Sequence, residues 1–464
     1  MKFIKNRPPV IAAIFILTLM AVAIITFTLS SPEGSAVATS NNKTEIKPLP
    51  TVGSFDNLKK LLQTTNDNRM YRTYAGSDVV KSKSIPLMSV QADSREAGTA
   101  APSSNTASQA YSSTNIQVEG VDEADIVKTD GTYIYQVSNQ KIVIVKAYPA
   151  TEMKVVNTIK FDDQKFSPTE LYVDSTHLVV VGTAYTSRPW PQDPQVKTSM
   201  YPPYRNINST LAIIYDISDK NNIKKVREVE IEGSCVSSRK IGQSLYLIAN
   251  RYIDYYYLEN GTGVTPAYRD TAKGSQFITI DYPAIHYFPE EIYPNYIIIA
   301  GIKLDSPNNP ADIQTYLGSG DNIYSSTNNL YVSVSKYNYS QPVVQGRISF
   351  SQTQNITTEV YKFGLNNGTI KYAGNGEVPG TILNQFSMDE HNGYFRIATT
   401  KGEMGRNDEN TSQNNIYVLD ENMKIAGKLE GLAPGEKIYS TRFLGDRAYM
   451  VTFKNVDPLF VLDL

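Results

Sequence analysis

Two stretches far apart in the chain share one shape: Ala212-Ile-Ile-Tyr-Asp-Ile followed by Ile223-Lys-Lys-Val-Arg-Glu-Val, and Ile416-Tyr-Val-Leu-Asp followed by Met423-Lys-Ile-Ala-Gly-Lys-Leu. Each reads as a strand, a turn and a second strand with a variable edge. The shape recurs at Ile142-Val-Ile-Val, at Tyr296-Ile-Ile-Ile-Ala-Gly-Ile, at Val360-Tyr-Lys-Phe-Gly-Leu and at Leu459-Phe-Val-Leu-Asp-Leu. A second two-strand pattern precedes each copy, as in Asp125-Ile-Val-Lys-Thr-Asp-Gly-Thr-Tyr-Ile-Tyr and Phe386-Ser-Met-Asp-Glu-His-Asn-Gly-Tyr-Phe-Arg-Ile. Together the halves make a four-stranded antiparallel unit, and an internal repeat of such units is the signature of a β-propeller.

Unit starts near Asp125, Thr169, Cys235, Asp321, Phe386 and Ile438 give about six units. Asp130-Gly131, Asn260-Gly261, Asn367-Gly368 and Asn392-Gly393 are hairpin-turn dipeptides. The chain has 464 residues, 41% of them hydrophobic, enough for one large all-β domain. Its 32 Tyr against 15 Phe suit half-buried strands, with the ring packed and the hydroxyl in solvent. The sixth unit supplies only three strands before Leu464. Either the segment around Asn115 to Val118 closes the ring against it, or the chain is a truncated product, the favoured expectation.

Upstream of the repeat, Lys2, Lys5 and Arg7 precede an uncharged apolar run from Val10 to Leu29. Such a run is long enough to span a bilayer, and its basic flank belongs on the cytoplasmic side. Residues 1–30 are therefore expected to be a signal anchor, with cleavage near Ala36-Val37-Ala38 as the alternative. Either way the bulk is expected outside, tethered to the membrane or secreted. Residues 31–52 read as a spacer and 53–66 as a short helix capped by Ser54, with Phe55, Leu58, Leu61 and Leu62 on one face. Residues 67–114 read as a flexible linker, and 115–464 as the propeller.

Certain stretches resemble a known family. Thr114-Asn-Ile-Gln-Val-Glu-Gly-Val-Asp-Glu-Ala-Asp-Ile-Val-Lys-Thr-Asp-Gly-Thr-Tyr-Ile-Tyr resembles the opening signature of secreted archaeal and bacterial proteins with a C-terminal β-propeller distantly similar to WD40 repeats. Asn384-Gln-Phe-Ser-Met-Asp-Glu-His-Asn-Gly-Tyr-Phe-Arg-Ile-Ala-Thr-Thr and the stretch from Arg447 to Leu464 resemble two further signatures. The resemblance implies the fold and an exported location. It brings no catalytic residues, and it implies a chain that continues past Val-Asp-Pro-Leu-Phe-Val through further strands.

Charge argues against nucleic acid as a partner: 44 Lys+Arg balance 46 Asp+Glu, and the pI is about 6.1. The single cysteine, Cys235, permits no intrachain disulfide and reads as a buried, inert strand thiol. His177, His286 and His391 lie far apart. Asp122, Glu123, Asp125 and Asp130 are a weak calcium candidate of irregular spacing, for which turn capping is the simpler use. Sequons at Asn42, Asn208, Asn260, Asn338, Asn355, Asn367 and Asn410 fit a glycosylated surface. Aromatic loops around Trp190, Tyr201, Tyr204, Tyr255, Tyr256 and Tyr257 are candidate adhesive surfaces for a surface protein or glycan. With no nucleophile elbow, P-loop, zinc motif or dinucleotide fingerprint, the expected function is a cell-surface binding or scaffolding module without cofactor. The alternatives are an exported hydrolase or quinoprotein-like enzyme working in the channel, and a fragment with no independent function.

Overall fold

Period-two strands close into ladders wherever a tight turn reverses the chain, and this sequence repeats the step throughout. The computed structural model describes residues 47–63, 116–162, 165–189, 204–253, 258, 263–289, 292–340, 353–454 and 458–464. Among them six sheets follow one another along the chain. Blade one comprises Val127–Thr129, Tyr133–Ser138, Lys141–Lys146 and Lys154–Lys160. Blade two comprises Phe166–Val173, His177–Pro189, Tyr204–Asp216 and Lys224–Glu232. Blade three comprises Ser234–Ile241, Ser244–Tyr252, Asn295–Lys303 and Asp312–Leu317. Blade four comprises Asn322–Ser325, Asn329–Ser340, Thr353–Asn366 and Thr369–Pro379. Blade five comprises Met388–His391, Tyr394–Lys401, Gln413–Leu419 and Ile425–Leu432. Blade six has three strands, Lys437–Leu444, Arg447–Phe453 and Leu459–Asp463.

Each of these blades is an antiparallel meander. Insertions enlarge two of them. Ala267–Asp270 and Ile278–Thr279 extend the outer edge of blade two, and Ile285–Tyr287 adds in parallel to blade three. The dipeptides Asn367-Gly368 (φ 46° and 76°) and Asn392-Gly393 (φ 52° and 82°) take the left-handed pair that a two-residue hairpin needs.

Five apolar clusters join consecutive blades. Ile142 and Ile144 meet Leu178 and Val180 between blades one and two, and Met450 meets Ile416 between five and six. Blades two to five interlock through the intervening clusters. The outward faces of the end blades stay open: Val155 of blade one and Leu459 of blade six are 60% and 61% exposed.

Tyrosine is used differently from the sequence expectation of a ring with its hydroxyl in solvent. Eight of the twelve largest fully buried side chains are tyrosines. Their hydroxyls bond to protein, often to the next blade. The Tyr172 hydroxyl pairs with Ser238 Oγ (2.8 Å), and the Tyr331 hydroxyl donates to Glu390 (2.9 Å). Tyr246 accepts from the Gly368 amide (3.1 Å), and Tyr324 accepts from the Glu390 amide (2.8 Å). A buried phenol must be bonded, and here that need ties blade to blade.

Residues 31–52, expected as a spacer, end in packed structure. Val52 is 1% exposed, its amide donates to Ile285 (2.7 Å), and the Tyr287 amide donates to Pro50 (2.9 Å). A helix over residues 55–63 follows, in which Ser54 Oγ accepts from the Asn57 amide (3.2 Å). Leu58 and Leu62 enter the core between blades two and three. Residues 67–114 and the run from Val10 to Leu29 lie outside the described residues; among the described residues no helix is long and apolar enough to cross a membrane.

One buried carboxyl makes stability depend on pH. Glu359, on the second long strand of blade four, is 2% exposed. Burial pushes it up to about 7, opposed by the bond from Asn375 and reinforced by Glu377, its cross-strand partner. The fold therefore favours the protonated form. That contribution is full below the unfolded value of about 4.3 and is lost as pH rises through about 7. The urea midpoint is expected to fall between pH 5 and pH 8, and Glu359→Gln to flatten that fall.

Candidate channel site

Before it enters blade one, the chain crosses the inner edges of four other blades. Gln117 Nε2 donates to the carbonyls of Gln385 (3.2 Å) and Met388 (3.1 Å) in blade five, and Val118 packs on the core there. Gly120, at φ 84°, passes blade four so closely that a Cβ would stand 3.2 Å from the Thr327 methyl. Val121–Asp122 then pairs antiparallel with Lys240 and Ile241 of blade three. Asp125 exchanges backbone bonds with Leu171 of blade two (3.2 and 2.9 Å). Residues 117–125 are thus a strap tying blades five, four, three and two to the first strand of blade one. Ring closure by Asn115 to Val118 does not occur among the described residues: Gln117 and Val118 engage blade five, and no strand is added to blade six.

The acidic residues of this stretch serve the strap. Asp122 pairs with Lys128 Nζ (2.7 Å). Asp125 Oδ1 accepts from the Ile126 amide (2.7 Å). Asp130 caps the next hairpin, accepting from the amides of Thr132 (3.0 Å) and Tyr133 (2.7 Å) and from the Tyr135 hydroxyl (2.9 Å). The three carboxylates weighed for calcium thus have separate partners, and among the described residues no group of three His, Cys, Asp or Glu is placed to hold a metal ion.

Beside the strap lies a cavity of about 570 Å³. Glu123 and Ala124 of the strap form one wall. Thr169, Glu170 and Thr183 of blade two, Ser234 to Arg239 of blade three, Asp321 and Asn322 of blade four and Gln385 form the rest. Arg239 reaches Glu123 (3.5 Å) and donates to Ser237 Oγ (2.7 Å) and the Ser238 carbonyl (2.6 Å). Ser238 Oγ donates to Glu170 (2.7 Å) and is itself buried against Tyr172.

Cys235 corrects the sequence reading of a buried thiol. A register shift between Cys235 and Ser237 leaves it on the innermost strand of blade three, where it is exposed to the cavity. The surrounding protein, and then the Glu170 carboxylate, push its thiol up to about 12. At neutral pH it stays protonated and a weak nucleophile.

The structure leaves the three histidines on separate blades: His177 beside Asp174, His286 in the parallel strand of blade three, and His391 bonded to Asp446 (3.0 Å). Of the sequons, Asn208 and Asn367 are exposed and Asn410 is half-buried. Asn338 and Asn355 face each other in register on the blade-four hairpin. Asn42 and Asn260 lie outside the described residues, as do Trp190, Tyr201, Tyr255, Tyr256 and Tyr257; Tyr204 begins a blade-two strand. What the sequence reading missed is the strap. Its visible signal was an acidic stretch with a central glycine placed immediately before the first repeat.

Sheets repeated around a shared polar cavity define a β-propeller. A β-propeller domain family model matches residues 111–464, and the chain belongs to that family. An uncharacterized protein of Methanocaldococcus jannaschii is 26% identical over 500 residues, covering 97% of this chain and 74% of its own length. An uncharacterized protein of Archaeoglobus fulgidus is 26% identical over 529 residues, covering 97% and 76%. Among solved structures, a Synechocystis apocarotenoid oxygenase aligns over 73% of this chain and 68% of its own at 9% identity, with a TM-score of 0.29.

Proposed function

We propose that this protein is a membrane-tethered binding or scaffolding module that works outside the cell and receives its ligand in the channel cavity. The observation that carries the binding role is the cavity itself, walled by polar groups from three blades and the strap. Pockets with a few fixed polar groups on a rigid scaffold are the usual form of a ligand site. Binding accounts for these groups better than catalysis. The thiol is held protonated, and the Ser238 hydroxyl is buried and bonded on both sides. The basic flank and apolar run from Val10 to Leu29 support the tether and the outside location. The test is chemical access. A membrane-impermeant thiol reagent given to intact cells should reach Cys235, and protection until the membrane is opened would refute the assignment.

A further inference from the structure

Within the cavity the hydrogen-bond donors of charged groups are already committed, whereas charged acceptors remain open. Arg239 is the cavity's cation, and its guanidinium is shared among Ser237, the Ser238 carbonyl and Glu123. The Ser238 hydroxyl is given to Glu170 Oε1. Three carboxylates reach the same space from separate elements: Glu123 from the strap, Glu170 from blade two and Asp321 from blade four. Asp321 Oδ2 accepts the Ser335 amide (3.1 Å), and among the described residues no bond is made to Asp321 Oδ1 or Glu170 Oε2. A ligand entering here meets acceptors with negative charge in excess by two, counting three carboxylates against one guanidinium. Concave sites of one sign concentrate the opposite ion.

We propose, resting on the binding-module reading, that the cavity takes a primary ammonium group, with Glu170 and Asp321 as its acceptors and Glu123 holding Arg239 aside. Charge-assisted bonds of this kind are about twice as strong as neutral ones. They also lose strength with salt when the groups are partly exposed.

Two sources of the same chemistry, a free polyamine and an amino sugar, are separated by titrating the full-length protein in detergent with spermidine and with glucosamine. Each is paired with its N-acetylated counterpart, and binding is read by calorimetry and by slowed modification of Cys235. At least one free amine is expected to bind about 10-fold or more tighter than its acetylated form, more weakly at high salt. Glu170→Gln combined with Asp321→Asn should erase that preference, and an unchanged far-UV spectrum would show the variant folded. Equal binding of amine and acetylated ligand, with Cys235 still shielded, would overturn the ammonium assignment and leave the cavity a binding site. If neither amine binds or shields Cys235, the ammonium assignment falls. If neutral sugars and cell-surface material also leave Cys235 unshielded, the cavity reading falls with it.

Discussion

Replacing Asp270 by alanine is expected to lower the unfolding free energy by about 3–5 kcal/mol, the cost of leaving a buried charge without its partner. Asp270 and Arg227 are 0% and 1% exposed, and the guanidinium grips the carboxylate with two bonds, 3.0 Å from Nε and 2.8 Å from Nη2. The same carboxylate accepts the amides of Ala272 (3.0 Å) and Ala311 (2.8 Å), and Arg227 also donates to the Lys303 carbonyl (3.3 Å). Burial opposes ionisation of Asp270, yet Arg227 and these amides hold its carboxyl below the usual range. The pair thus pins the extended edge of blade two to blade three. The loss is read as the fall in urea midpoint. A double variant, Arg227→Met with Asp270→Leu, should cost much less than Asp270→Ala, because it removes both charges together. A single variant as stable as the parent would contradict the pinning role.

Gly301→Ala is the second change with a large expected effect. Gly301 sits in the third strand of blade three, where an added Cβ would lie 2.2 Å from the Gly368 carbonyl oxygen and 2.9 Å from its carbon. Both obstacles are backbone of the tight turn Asn367-Gly368, which cannot yield by changing a rotamer. Overpacking of this kind costs about 1–3 kcal/mol, and more where backbone must move. The turn is also fixed by the Gly368 amide bonding to Tyr246, so a shift would loosen the joint between blades three and four. Gly364→Ala provides the control, since its nearest obstacle is 3.8 Å away. It should be near neutral by thermal melt while Gly301→Ala melts several degrees lower. Equal melts would contradict the close approach.

The blades were legible because each is built from local signals. Starts expected near Asp125, Thr169, Cys235, Asp321, Phe386 and Ile438 fall within three residues of first strands beginning at Val127, Phe166, Ser234, Asn322, Met388 and Lys437. Alternation fixes which face is apolar, and Asn-Gly fixes where the chain reverses. The site was less legible because it depends on residues far apart in sequence. Glu123, Glu170, Arg239 and Asp321 carry no motif spacing, and only the closure of blades two to four brings them to one cavity. The strap reads locally as an acidic prelude to a strand, since nothing in Gln117 points to Met388, 271 residues later. Cys235 was misplaced for a similar reason. Its strand-like neighbours suggest burial, and only the bulge and its innermost position expose it.

The same cysteine gives the most direct test of the central claim, that this propeller holds an open channel cavity outside the cell. Because Cys235 is the chain's one cysteine, a small membrane-impermeant thiosulfonate reports on that cavity alone, with Cys235→Ser as the blank. Its raised thiol slows the reaction at neutral pH, so rates are compared at one mildly alkaline pH in intact and in permeabilised cells. The account predicts equal rates in the two, both slowed by a ligand that fills the cavity. Labelling that begins only after permeabilisation would contradict it.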